Sequence, residues 1–235
     1  MAVKRGTFNY QIAVTGMRGT GKSTYGLARA RALARDHGGY LIAHDAGGFR
    51  IPSSIPGQGP VPLERSASID ELHRKLMARP DVVQVYTGPD AGPLLAYALK
   101  LRSLGPRDAS QQTPIVVFLD EAVNIRQANR YRLDDELATL LADLRHQGIA
   151  LVWCSQQPQQ VHYSLLSMGT EIVIFRLTRK ARKRLLDDCD VPESWDHVIG
   201  ALPDYKYLVF PLTGTADNAG NTTAQHGQQS AQRRR

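Results

Sequence analysis

Eight residues near the start of the chain have the types and spacing to hold a polyphosphate. Gly16-Met17-Arg18-Gly19-Thr20-Gly21-Lys22-Ser23 fits the pattern G-x-x-x-x-G-K-[ST] at every fixed position. Glycines let a backbone curl until several N–H groups point at one phosphate, and a helix N-terminus behind them adds positive partial charge. Lys22 can reach the β- and γ-phosphates, the Ser23 hydroxyl can ligate Mg²⁺, and Thr24 closes the cradle. The context also fits. Ile12 to Val14 reads as a buried strand and Thr24 to Ala34 as a helix, and strand–loop–helix separates a P-loop from a glycine-rich turn that happens to carry a lysine. The pattern implies binding of a nucleoside triphosphate with Mg²⁺. ATP and GTP share the phosphates that such a loop recognises, so the base is not readable from it.

A second group of residues could work on that phosphate. Pro114 to Leu119 is almost wholly apolar and ends in Asp120-Glu121. Such a run predicts a central strand covered on both faces. An acid at its end is placed to hold Mg²⁺ through water, and an adjacent glutamate can orient the attacking water or take its proton. Alone, Asp-Glu after a strand also describes an ordinary acidic helix N-terminus. Downstream of a P-loop the pair reads as a Walker B element, with Asp120 at the metal and Glu121 catalytic. Tyr40 to Ala43 is a further short strand and runs into His44-Asp45, again where α/β sheets keep their chemistry. If the sheet is wound as expected, Asp45, Asp120-Glu121 and Gln156 converge beside Lys22.

The rest of the chain supplies the elements that position these groups. Its 235 residues suit one α/β domain with a substantial core, expected over 1–212. Apolar runs at 82–86, 149–154, 171–177 and 205–211 read as strands, and 68–79, 90–104, 134–147 and 179–189 as helices. Ser68 and Glu71 have capping-box spacing at the start of the first of these helices, and a short helix is expected near Val161 to Leu166. Alternating strands and helices predict a largely parallel, doubly wound sheet with helices on both faces. Residues 46–67, rich in Gly, Pro and Ser, read as a long surface loop, either an interaction arm or a plain connection. From Gly214 onward the composition lacks apolar anchors, and 213–235 is expected to be disordered.

Net charge is +7, which favours a polyanionic partner, although Arg233, Arg234 and Arg235 in the tail supply three of those charges. Two cysteines exclude a disulfide framework and favour a reducing compartment. No apolar run reaches the roughly 18 residues of a membrane span, and Met1 to Tyr10 lacks the apolar centre of a signal peptide. The histidines show no metal-ligand spacing. The helix over Arg179-Lys180-Ala181-Arg182-Lys183-Arg184 could contact phosphates in a sequence-independent way, or could simply be a solvated face.

One further segment is more specific. Arg145-His146-Gln147-Gly148 ends a helix, Ile149 to Cys154 is an apolar strand, and Ser155-Gln156-Gln157-Pro158 follows. This order resembles the FtsK–HerA family of DNA-pumping ATPases, in which an arginine and a small turn precede an apolar strand that ends in a polar Thr/Ser-Gln step. The resemblance covers about residues 15–180. It implies a RecA-like (ASCE) P-loop fold, with Gln156 sensing the γ-phosphate and Arg145 acting as an arginine finger on a neighbour's ATP. Gln157 could replace Gln156 in that role, and Arg126, Arg130 and Arg132 rival Arg145; the 126–132 stretch could also face DNA in a central pore. By length and layout the chain resembles the genome-packaging ATPases of membrane-containing icosahedral double-stranded DNA viruses. That likeness implies hydrolysis of ATP coupled to packaging of double-stranded DNA. It also implies a homo-oligomeric ring, pentamer or hexamer, partners at the capsid vertex or among membrane-associated virion proteins, and a place in the host cytoplasm or on the virion.

Two other classes fit the P-loop alone. A small nucleotide kinase would pass the γ-phosphoryl to a small acceptor and could use Arg179–Arg184 as a lid, but it needs neither Asp120-Glu121 nor Gln156. A nucleotide-dependent assembly protein would bind without hydrolysis.

Overall fold

The apolar runs at the centre of the sheet form strands covered on both sides, and their pairing order decides what stands beside the P-loop. The computed structural model describes residues 8–46, 50–106, 111–122, 128–129, 132–133, 135–162, 165–166 and 169–212. Arg126, Arg130 and the tail 213–235, singled out above, lie outside the described residues.

The strands are β1 (Gln11–Thr15), β2 (Tyr40–His44), β3 (Ser54–Ile55), β4 (Gly59–Pro60), β5 (Leu63–Ser66), β6 (Val83–Tyr86), β7 (Ile115–Leu119), β8 (Ala128–Asn129), β9 (Arg132–Leu133), β10 (Ala150–Ser155), β11 (Glu171–Ile174) and β12 (Leu208–Pro211). The helices are α1 (Lys22–Asp36), α2 (Ile69–Ala78), α3 (Gly92–Ser103), α4 (Asp135–His146), α5 (Arg179–Cys189) and α6 (Asp196–Ala201). Eight strands form the central sheet in the order β12-β11-β1-β10-β7-β2-β6-β5. All pairs are parallel except β11 with β12, which closes one edge antiparallel.

The alternation of strand side chains divides the core in two. Ile12, Val14, Phe118, Val152 and Cys154 face α1, whose Leu27, Ala30 and Leu33 pack on them. Ala13, Val117, Leu119, Leu151 and Trp153 face the other way, toward Leu72 and Leu76 of α2, Leu94 and Leu95 of α3, Leu137, Leu141 and Leu144 of α4, and Leu185 of α5. Helices therefore cover both faces, with α1 alone over the centre of one. Gly26 lets α1 come that close: a Cβ there would stand 2.8 Å from Cys154 Sγ and 2.8 Å from the Phe118 ring. Gly26→Ala is therefore expected to destabilise the protein by about 1–3 kcal/mol through overpacking, although a helical Gly→Ala change usually stabilises. Thermal melting should show a fall of several degrees; a rise would mean that α1 is free to lift from the sheet.

Three segments depart from the sequence reading. Residues 46–67 are not a plain loop: β3 and β4 make a small hairpin, and β5 joins the sheet edge parallel to β6. Ile51, Ile55 and Val61 from this segment are buried against the α1-side core. Such short strands depend on a partner rather than on their own periodicity. The last strand begins at Leu208 rather than Tyr205, because Tyr205 adopts φ +63, a conformation that no strand contains. Leu165 and Leu166 are helical, where a short helix is expected, and a 3₁₀ turn at Pro158–Gln160 precedes them; the third departure is α6, which no apolar run announces. Among the described residues no helix is long and apolar enough to cross a membrane.

Candidate nucleotide-hydrolysis site

Register brings the chemistry together. Thr15 pairs with Ser155, Leu119 with Trp153 and His44 with Leu119, so β1, β10, β7 and β2 end nearly level. The residues that leave these strands, Gly16, Gln156, Asp120 and Asp45, therefore share one edge of the sheet. The strand order places β10, which ends in Ser155-Gln156, between the P-loop strand and the strand that ends in Asp120-Glu121.

The P-loop is stapled to this edge. Gly16 N–H donates to Ser155 O (3.1 Å) and Met17 N–H to Arg176 O (2.9 Å). The Thr20 hydroxyl donates to Met17 O (2.8 Å) and closes the loop on itself. Gly21 takes φ +97 as the residue before α1, which an L side chain would resist. α1 has no acidic residue in its first turn and no side-chain cap at its start, which leaves its first N–H groups to an anion. Arg18 and Gly19 are exposed at the loop's apex, and Thr24 is half-buried in the first turn of α1.

Lys22 is 5% exposed, and its charge acts on two acids, Asp120 and Glu121. Burial pushes the Asp120 carboxyl above its usual range; a hydrogen bond from the Ser23 hydroxyl and the charge of Lys22 pull it back, and the nearby Asp45 adds to the rise. Burial likewise pushes Glu121 up, against the Ser155 hydroxyl, Lys22 and the Gln156 N–H. Gln156 N–H donates to Glu121 Oε2 (3.4 Å), and Gln157 N–H donates to Ser155 Oγ (3.1 Å). Ser155 thus holds the glutamate from below, a role the sequence reading did not assign; the only signal was its place in the Ser-Gln step. Asp45 Oδ2 accepts from Arg50 N–H (2.8 Å) and Ile51 N–H (3.0 Å), so it anchors the segment after β2 as well as facing the site. His44 Nε2 is paired with Gly88 O at 2.8 Å.

The donor set fits Mg²⁺. Asp120 Oδ1, buried beside the Ser23 hydroxyl, has no hydrogen-bond partner, nor have Glu121 Oε1 and Asp45 Oδ1. Among the described residues no cluster of three or more His, Cys, Asp or Glu side chains could hold a metal. One hydroxyl and one carboxylate, with phosphate and water for the remaining positions, is how Mg²⁺ is usually held.

Arg145 is elsewhere. It is exposed at the end of α4, before β10 begins, whereas the P-loop follows the end of parallel β1. A five-residue strand at ~3.3 Å per residue puts about 16 Å between those edges. The Arg145–Gly148 turn is tied down by Arg102, whose guanidinium donates to Gly148 O (2.9 Å) and Thr113 O (3.2 Å). Arg132 begins β9, paired with Asn129 of β8. Within α5, Arg182 is bound to Asp196 (2.7 Å) and Arg184 to Asp188, while Arg179, Lys180 and Lys183 are exposed.

A mostly parallel sheet with a P-loop after β1, an Asp-Glu pair after β7 and one strand between them is the RecA-like P-loop ATPase fold. The solved structures similar to it include the genome packaging NTPase B204 from Sulfolobus turreted icosahedral virus 2. With ATP-gammaS bound, that protein matches at a TM-score of 0.64 and 13% identity over 88% of this chain and 94% of its own; with AMPPCP the TM-score is 0.63 at 13% identity over the same shares. B204, the DNA-packaging ATPase from Sulfolobus turreted icosahedral virus, matches at 0.63 and 16% identity over 87% of this chain and 93% of its own. No family model and no curated protein sequence matches the chain.

Proposed function

We propose that this chain is an ATP-hydrolysing translocase that packages double-stranded DNA into a viral capsid. The observation that carries the hydrolytic part is the seating of Glu121. Its carboxylate is held by the Ser155 hydroxyl and the Gln156 N–H, within the field of Lys22 and next to the Ser23–Asp120 pair. The likeness in fold to genome-packaging NTPases supports the choice of DNA as cargo.

In this reading the Gly16–Thr24 cradle binds the phosphates through backbone N–H groups, and Lys22 neutralises the β- and γ-oxygens. The Ser23 hydroxyl and the Asp120 carboxylate would hold Mg²⁺, which would add to the neutralisation of the phosphoryl charge. Glu121 orients a water in line with the γ-phosphorus and takes its proton as the new P–O bond forms. The β–γ bridging oxygen leaves with the electron pair of the broken bond, on ADP. A carboxyl raised above its ordinary range by burial is the better proton acceptor. Gln156 reports the γ-phosphate to the neighbouring subunit of a pentameric or hexameric ring. Arg145, too far from its own P-loop, acts on the ATP of that neighbour, where a planar cation spreads charge over the phosphoryl oxygens. Arg179, Lys180 and Lys183 are exposed on one helix and suit salt-sensitive contacts to DNA phosphates. The ring works in the host cytoplasm and docks on a capsid vertex or a membrane-associated virion protein.

The direct test is the rate of ATP hydrolysis with and without double-stranded DNA, together with a native mass. DNA-stimulated turnover by a ring of 25.9 kDa subunits is expected. DNA-independent transfer of phosphate to a nucleoside monophosphate would overturn the proposal in favour of a kinase. Arg145→Ala is expected to keep ATP binding and lower ring turnover at least about 100-fold. Mixing it with Lys22→Ala subunits should restore part of that turnover at interfaces where both functional residues meet. Undiminished hydrolysis by Arg145→Ala would move the finger to Arg126, Arg130 or Arg132.

A further inference from the structure

A triphosphate hydrolysed by Glu121 has its γ-phosphate at the ends of β7 and β10. β1 has β10 on one side and β11 on the other, so the nucleoside end of a nucleotide in the P-loop is left to the β11 flank. On that flank the chain does something that packing does not explain. Tyr205 adopts φ +63, left-handed backbone that a bulky L-residue avoids. Its N–H donates to Thr20 O of the P-loop (3.2 Å). Its ring lies over Gly21, where an added Cβ would stand 2.8 Å from Cδ1. Yet the residue is 48% exposed, one of the few large apolar side chains left at the surface among the described residues.

The turn that carries it is fastened on both sides. Arg176 Nη2 is 2.7 Å from Asp204 Oδ1, and Lys206 N–H donates to Pro203 O (3.2 Å). The backbone carbonyl of the same Arg176 accepts Met17 N–H, so one residue holds both the P-loop entry and the Tyr205 turn. Strained backbone is retained only where its surroundings over-determine it, and it collects at ligand-binding positions. Here the strain brings no burial; it keeps one face of an aromatic ring in solvent, against the phosphate loop.

We infer that Tyr205 is the platform on which the base of the bound nucleotide stacks. This rests on the proposal that the P-loop binds a nucleoside triphosphate. A ring face accepts any base, so Tyr205 adds affinity for the nucleoside without choosing between adenine and guanine. Stacking of this kind contributes about 10- to 100-fold in affinity.

The test compares equilibrium binding of ATP and of inorganic tripolyphosphate to the full-length parent, Tyr205→Gly and Tyr205→Phe. Glycine tolerates the left-handed backbone, so it removes the ring without straining the turn. Tyr205→Gly is expected to bind ATP at least about 10-fold more weakly than the parent while keeping its affinity for tripolyphosphate. Tyr205→Phe, which keeps the ring, is expected to recover the ATP affinity lost by the glycine variant. In Tyr205→Trp, ATP should quench the new indole and tripolyphosphate should not. Equal losses for both ligands in Tyr205→Gly would overturn the inference and make the turn a brace for the P-loop; no loss for either would overturn it outright. A parent that binds tripolyphosphate as tightly as ATP sinks the base platform alone. A parent that binds neither sinks the nucleotide reading and this inference with it.

Discussion

Glu121→Gln is expected to bind ATP as the parent does and to release phosphate at least about 100-fold more slowly, within the range a positioned general base contributes. The substitution is nearly isosteric. An amide oxygen can still accept from Gln156 N–H, which donates to Oε2 at 3.4 Å in the native chain, so the strand end should keep its shape. What disappears is the proposed acceptor for the water's proton, and with it a negative charge that interacts with Lys22. Titration of nucleotide binding and steady-state phosphate release separate the two effects. Intact binding with collapsed turnover places Glu121 in the chemical step. Unchanged turnover would remove it from that role and turn attention to Asp45, whose Oδ1 is also buried without a hydrogen-bond partner.

Lys22→Ala is expected to weaken ATP binding at least about 100-fold and to abolish measurable hydrolysis, since it removes a charge-assisted contact to the phosphates. The variant should also melt several degrees lower without nucleotide. Lys22 is the nearby cation for two carboxyls that burial already drives upward. Taking one member from a buried ionic cluster costs about 3–5 kcal/mol, and proton uptake by Asp120 or Glu121 offsets part of it. Differential scanning calorimetry and ATP titration read the two consequences independently. ATP affinity within a few-fold of the parent would show that the lysine serves the carboxyls and not the phosphates.

Much of the site could be read along the chain because its rules are local. Gly21 is written into the P-loop pattern because the turn into α1 needs φ +97 there. Asp120-Glu121 was visible because a fully buried strand, Ile115–Leu119, must end in something polar at the sheet's edge. The basic helix over Arg179–Cys189 keeps the bounds read from its sequence, and the structure adds its N-cap, Thr178, whose side chain accepts from Ala181 N–H. Where local rules are weak, structure is not legible along the chain. β5 is a strand only because β6 offers it an edge, and nothing in Leu63–Ser66 announces that partner. Tyr205 reads as the start of an apolar strand, and only its contact with the P-loop shows why its backbone turns away.

Local pattern alone therefore marks a loop with P-loop spacing, an acid pair at the end of a buried strand, and a polar step after another. These depend on backbone conformation and hydrophobic period within a few residues. That the three are neighbours, that Ser155 holds Glu121, and that Arg145 stands at the opposite edge emerges from the folded sheet. Those facts follow from strand order and register, β1-β10-β7 with ends level. Pairing between segments more than a hundred residues apart is chosen by which faces α1 and the opposing helices can bury together, a long-range packing choice that no local pattern encodes.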